Sequence, residues 1–183
     1  MSMMSPIAPS RMRRLTVAQG DSLASSDPEV VFTTVLGSCV AVCLHDGRAG
    51  VGGMNHFLLA DPPTMANEDA RLLNRYGVHS MELLINAMLK RGASRRNLKA
   101  RIYGGATMRR GLGEIGNTNI QFARRFLDNE SITILGEDVA GVAARRVEFR
   151  PAVGLSRCNI VSTQPVEQLI KIPAPSCGDV ELF

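Results

Sequence analysis

The feature that most constrains this chain is a hairpin pattern with a cysteine on one arm and a histidine on the other. Thr33-Thr34-Val35-Leu36-Gly37-Ser38-Cys39 leads into Val40-Ala41-Val42-Cys43-Leu44. His45-Asp46-Gly47-Arg48-Ala49-Gly50 follows, and Val51-Gly52-Gly53-Met54-Asn55-His56 completes the pattern. Apolar and β-branched flanks around an Asp-Gly turn predict two antiparallel strands. A register that opposes Cys39 to His56 centres the turn between Gly47 and Arg48, inside the predicted loop. Directly opposed residues hold their Cβ atoms roughly 4.5–5.5 Å apart. A thiol and an imidazole would then lie side by side, as a Cys–His nucleophile pair requires. A slip of one residue, or a bulge at Gly52-Gly53, would separate them. A free cysteine is also commonly a small buried hydrophobe, and spacing alone does not choose between the two readings.

With 183 residues, the chain is most simply one domain with a core of its own. A hydrophobic content of 45% against 21% charged residues fits a soluble globular protein. Cys39, Cys43, Cys158 and Cys177 contain no Cys-x-x-Cys, which removes the usual zinc and thioredoxin signatures. On a strand, Cys39 and Cys43 would stand roughly 13 Å apart, too far for a bridge, so reduced thiols in a cytoplasmic protein are expected. The three histidines lack metal-ligand spacing, and no metal or cofactor is expected. His45 falls in the predicted turn and His79 at the start of a helix, both as surface residues. Gly104-Gly105-Ala106 lacks the Gly-Lys-Ser/Thr of a phosphate loop and reads as a tight turn.

No stretch approaches the ~20 apolar residues of a membrane span, and Met1 to Arg14 has no apolar segment of the secretory kind. The net charge of +4 comes mostly from arginine, with doublets at Arg95-Arg96, Arg109-Arg110, Arg124-Arg125 and Arg145-Arg146. Scattered doublets read as a solvated surface suited to an acidic protein partner. Six Phe, two Tyr and no Trp supply few stacking platforms, which argues against nucleic acid.

Along the chain, 1–26 reads as a loose arm, 27–172 as the folded domain and 173–183 as an exposed tail. Strands are expected at 29–36, on both arms of the hairpin, and at 98–103, 131–135, 145–149 and 159–162. Thr64 to Arg75 is polar and reads as a loop with a short helical piece. A helix over 76–91 puts Val78, Met81, Leu84, Ile85, Met88 and Leu89 on one face and stops at Gly92. A second runs from Asn117 or Thr118 to Asp128, with Ile120, Ala123, Phe126 and Leu127 inward. Strands at both ends around two helices imply a mixed α/β or α+β domain.

Over roughly residues 27–162 the chain resembles the CheD family of chemoreceptor glutamine deamidases. The resemblance rests on Thr34-Val35-Leu36-Gly37-Ser38-Cys39, Gly52-Gly53-Met54-Asn55-His56, Tyr76 with the Met81 helix, Tyr103-Gly104-Gly105-Ala106 followed by Met108, and Ile115-Gly116-Asn117 with Asn119. One departure is Val139-Ala140-Gly141-Val142, where the family tends to show a glycine pair. The resemblance implies a three-layered α/β fold and a Cys–His–Thr site. Cys39 would be the nucleophile, His56 the base, and Thr33, six residues before the cysteine, the residue that orients the imidazole. Alternating faces allow only one of Thr33 and Thr34 to point at the site, and the offset selects Thr33.

In that chemistry, Cys39 attacks a glutamine carboxamide and N–H groups around Gly37 and Ser38 meet the oxyanion. The implied substrates are glutamines on the cytoplasmic helices of methyl-accepting chemoreceptors, and the implied partner is a CheC-type phosphatase. The alternative is a regulatory binding module of the chemotaxis system with little catalysis.

Overall fold

Small and branched apolar residues alternate along β4 (Val40–Asp46), with Val40, Val42 and Leu44 on one face and Ala41 and Cys43 on the other. All five are buried. A strand buried on both faces belongs to the middle of three layers. The computed structural model, which describes residues 12–59, 69–107 and 113–161, has that architecture.

The middle layer is a five-stranded sheet in the order β2 (Ser22–Ser25), β5 (Val51–Asn55), β4, β6 (Leu98–Gly104), β7 (Thr133–Val139). On one face Val40, Val42 and Leu44 join a core with α1 (Asp69–Leu89) and α2 (Gly113–Asn129). On the other, Ala41, Cys43 and Met54 meet Phe32, Leu36, Val147 and Phe149 of a four-stranded sheet. Its order is β1 (Arg13–Thr16), β3 (Val30–Leu36), β8 (Ala144–Arg150), β9 (Leu155–Val161). The mixed α+β class expected from the pattern of elements is the observed one.

Met81, Leu84, Ile85 and Met88 of α1 are fully buried, as the helical period requires. Val78 is exposed instead: the approach to α2 is made by Gly77, where a Cβ would press into Phe122 and Leu59. The stop at Gly92 is real, with φ +93° and its N–H on the Leu89 carbonyl at 2.9 Å. The second helix begins at Gly113, earlier than its expected cap, and buries Ile120, Ala123, Phe126 and Leu127.

Three expectations need correcting. Part of the stretch read as a loose arm is sheet: β1 runs parallel to β3 from Arg13↔Val30, and β2 runs antiparallel to β5 from Ser22↔Asn55. Every residue of β1 is exposed, so no hydrophobic alternation marks it; its order comes from backbone pairing. His45 is a strand residue, not a turn residue. Its Nδ1 lies 3.0 Å from the Pro151 carbonyl and its ring packs where a Cβ of Gly154 would stand. The arginine doublets are less solvated than their spacing implied. Arg95 pairs with Glu82 and Glu130, Arg124 with Glu137, and the buried Arg145 with Asp138. Arg109-Arg110, Met108, residues 64–68, Cys177 and the 173–183 tail lie outside the described residues, whereas 69–75, read as part of a loop, are the first turns of α1.

The departure at Ala140 has a structural account. Ala140 adopts φ +63°, a conformation glycine reaches more easily. Its carbonyl is held by Arg145 Nη1 at 2.7 Å and its N–H donates to the Gly104 carbonyl at 2.9 Å.

Candidate active site

The end of β5 follows from Asn55. This buried side chain presents Oδ1 to the Val42 N–H at 2.9 Å, where a strand would offer a backbone carbonyl. The backbone of His56 is engaged elsewhere, donating its N–H to the Asp21 carbonyl at 3.1 Å and accepting from the Gly20 N–H at 2.7 Å. β4 and β5 pair from Asp46↔Val51 to Cys43↔Met54, and the same register returns at Val40↔Phe57. The turn is Gly47 to Gly50, with Asp46 Oδ1 accepting from the Arg48 and Ala49 N–H groups at 2.9 and 3.1 Å.

This register is two residues from the one that would oppose Cys39 to His56. Ala41 takes the position opposite His56, and Cys39 is a diagonal neighbour on the same face. Diagonal neighbours stand about 7–8 Å apart, still in reach of larger side chains. Among the described residues Cys39 and His56 share no hydrogen bond; the Cys39 thiol donates to Gln19 Oε1 at 3.4 Å.

Thr34 belongs to the other sheet and faces this pair. It shares the inward side of β3 with Phe32 and Leu36, and its Oγ1 lies 2.9 Å from His56 Nδ1. Thr33, selected by the offset of six, falls on the opposite face, in register with Thr16 and Glu148. Counting along the chain ignores the face; alternation separates the two threonines, and the packing of β3 on the other sheet puts Thr34, not Thr33, against the imidazole.

These contacts fix the histidine tautomer. The single hydroxyl proton of Thr34 goes to the Val17 carbonyl at 2.8 Å, so its oxygen accepts from Nδ1–H. Val17 O also stands 3.2 Å from Nδ1. The proton of the neutral ring therefore sits on Nδ1 and the lone pair on Nε2. Nε2 is buried and has no hydrogen-bond partner. Burial lowers the His56 pKa below its usual 6.5, opposed by the Val17 carbonyl and by the charge of Asp21. Burial raises the Cys39 thiol above 9.0, opposed by its own backbone N–H. Both shifts favour the neutral forms, thiol and imidazole.

The cysteine loop is anchored by three carbonyls. Gly37 O accepts from the Ala106 N–H at 2.8 Å and Cys39 O from the Gly105 N–H at 2.7 Å. Ser38 O accepts from Asn119 Nδ2 at 2.9 Å. Gly104 has φ +101°, and a Cβ there would run into the Cys39 carbonyl oxygen. Among the described residues the Ser38 N–H is given to no backbone carbonyl outside the regular strands and helices, and the Cys39 N–H is directed at its own thiol.

Sequence reasoning gave no role to Asn119, which is wholly buried and also takes the Leu59 N–H on Oδ1 at 2.8 Å. Its signal was its place after Ile115-Gly116-Asn117, where it counted towards the resemblance without a function attached. Gln19 carried no signal, because its neighbours in sequence were read as an arm. No group of three or more potential metal ligands occurs among the described residues.

A family model described as "CheD chemotactic sensory transduction" matches residues 58–159. The probable chemoreceptor glutamine deamidase CheD of Zymomonas mobilis subsp. mobilis is 55% identical over 172 residues, covering 93% of each chain. Its namesake in Caulobacter vibrioides is 46% identical over 181 residues, covering 96% of each. That of Agrobacterium fabrum is 41% identical over 178 residues, 93% of this chain and 97% of the other. Among solved structures, Bacillus licheniformis YfiH aligns with 70% of this chain and 60% of its own, at 13% identity and a TM-score of 0.41.

Proposed function

The chain belongs to the CheD family, and from that premise we propose that it is a cysteine-dependent deamidase of glutamines on methyl-accepting chemoreceptors. The observation that carries this reading is the imidazole of His56. Thr34 and Val17 hold its protonated nitrogen, and its basic nitrogen is buried and unpartnered on the face that bears Cys39.

When the substrate carboxamide arrives, Nε2 takes the thiol proton and sulfur attacks the carboxamide carbon. The C–S bond forms as the C=O π pair moves to oxygen, where N–H groups of the Gly37-Ser38-Cys39 loop would receive the charge. Collapse breaks the C–N bond, and the imidazolium proton leaves with ammonia. Water, deprotonated by His56, then cleaves the thioester to give glutamate and the thiol. Cys39 is only half-buried, so a protein-borne glutamine can reach it. No helix among the described residues is long and apolar enough to cross a membrane. The family resemblance adds a cytoplasmic location and a CheC-type phosphatase as a further partner.

Incubating a receptor cytoplasmic fragment with wild-type and Cys39→Ala protein tests the reading. A mass gain of about one dalton per modified glutamine, absent with the variant, is expected for amide-to-acid exchange at a thiol-dependent centre. Persistence of the gain with Cys39→Ala would refute it.

The pH profile is a second check. A base whose pKa is lowered stays unprotonated to lower pH, so the acid limb of kcat/KM is expected below 6.5. An acid limb above that value would remove His56 as the base.

A further inference from the structure

Gln19 lies in the loop between β1 and β2, and that loop is tied to the site along its length. The Val17 N–H donates to Thr33 O at 2.9 Å, Val17 O accepts from Thr34, the Gly20 N–H reaches His56 O, and the His56 N–H reaches Asp21 O. Gly20 turns the chain at φ +94°. The backbone of Gln19 is thus held beside the site while its side chain is exposed. Its Oε1 accepts the hydrogen bond of the Cys39 thiol at 3.4 Å. The group on the nucleophile is a glutamine carboxamide, the same group that a substrate would bring. A hydrogen bond to the neutral thiol favours that form, and it directs the proton away from the unpartnered Nε2 of His56.

We propose that Gln19 is a positioning residue whose carboxamide rests in the substrate subsite of Cys39 and keeps the thiol protonated until a substrate glutamine displaces it. The inference rests on Cys39 being the nucleophile. Displacement removes the acceptor at Oε1 and frees the thiol proton for Nε2, so that activation coincides with substrate arrival.

The test compares wild type, Gln19→Ala, Gln19→Glu and Cys39→Ala in two assays. One is iodoacetamide alkylation of Cys39 against pH, read by peptide mapping; the other is deamidation of a receptor cytoplasmic fragment. Gln19→Ala is expected to alkylate about threefold to tenfold faster at fixed pH, the effect of removing one hydrogen bond to the thiol, with the profile moved to lower pH. Its KM should fall with kcat unchanged, because an internal competitor is gone. Gln19→Glu puts a carboxylate beside the thiol and should move the profile to higher pH. Alkylation profiles of both variants that superimpose on wild type overturn the inference. A raised KM in Gln19→Ala also overturns it, since Gln19 would then be a substrate contact. Deamidation by Cys39→Ala would instead refute the underlying assignment of the nucleophile.

Discussion

Replacing His56 with alanine is expected to lower kcat for receptor deamidation by about 10²–10⁴-fold, the usual contribution of a positioned general base. Thr34→Val is expected to cost about a hundredfold, the scale of a small misplacement of a reacting group. Valine keeps the shape of threonine but cannot accept from Nδ1–H. The imidazole then loses the contact that selects its tautomer, although the Val17 carbonyl remains. Thr33→Val should stay within about twofold of wild type, as outward-facing substitutions generally do. Steady-state kinetics on a receptor fragment, with circular dichroism to establish folding, separate these outcomes. A near-wild-type Thr34→Val beside an inactive Thr33→Val would restore the assignment made from the offset of six and require a different face of β3 at the site.

The two threonines illustrate what the sequence conveyed. Runs of apolar and β-branched residues identified β3, β4 and β5, and parity alone put Cys39 and His56 on one face even though the register was two residues off. Parity survives such a shift because side chains repeat every two residues. The opposing register did not survive, because it depended on the turn. Asp46 collects the Arg48 and Ala49 N–H groups and sets a four-residue loop from Gly47 to Gly50.

Thr34 was illegible for another reason. Which threonine meets His56 is decided by how two sheets stack, and no local pattern in β3 encodes that. Gln19 and Asn119 are harder still. One stands on a loop between two edge strands, the first of them wholly exposed, and the other reaches from α2 back to Leu59 and to Ser38, the latter 81 residues away in the chain. Both act through long-range hydrogen bonds, whereas periodicity reports only burial.

The same Asp46 that sets the turn should be one of the most damaging positions to change. It is wholly buried at the end of β4. Its Oδ1 accepts from Arg48 and Ala49, and its Oδ2 from the Ser94 N–H at 2.8 Å and Asn97 Nδ2 at 3.3 Å. One carboxylate thus joins the hairpin turn to the segment that enters β6. Burial acts to raise its pKa, but the hydrogen bonds from Ser94, Ala49, Arg48 and Asn97 outweigh it and hold the group below its ordinary 3.8.

Asp46→Ala leaves those donors without their acceptor. At roughly 1–3 kcal/mol for each one left buried and unsatisfied, with relief for those that reach water, a loss of about 3–5 kcal/mol is expected. For a domain of this size that corresponds to a fall of roughly 6–20 °C in Tm. Asp46→Asn, which keeps one acceptor oxygen, should fall between the variant and wild type. Because the folded-state pKa is lowered, the stabilising contribution of Asp46 is fully present above pH 3.8 and is lost as pH falls through the folded value. Thermal melts of wild type and Asp46→Ala should therefore converge in acid and diverge on returning towards neutrality. A difference in Tm that stays constant across that range would show that the carboxylate charge is not what its donors hold.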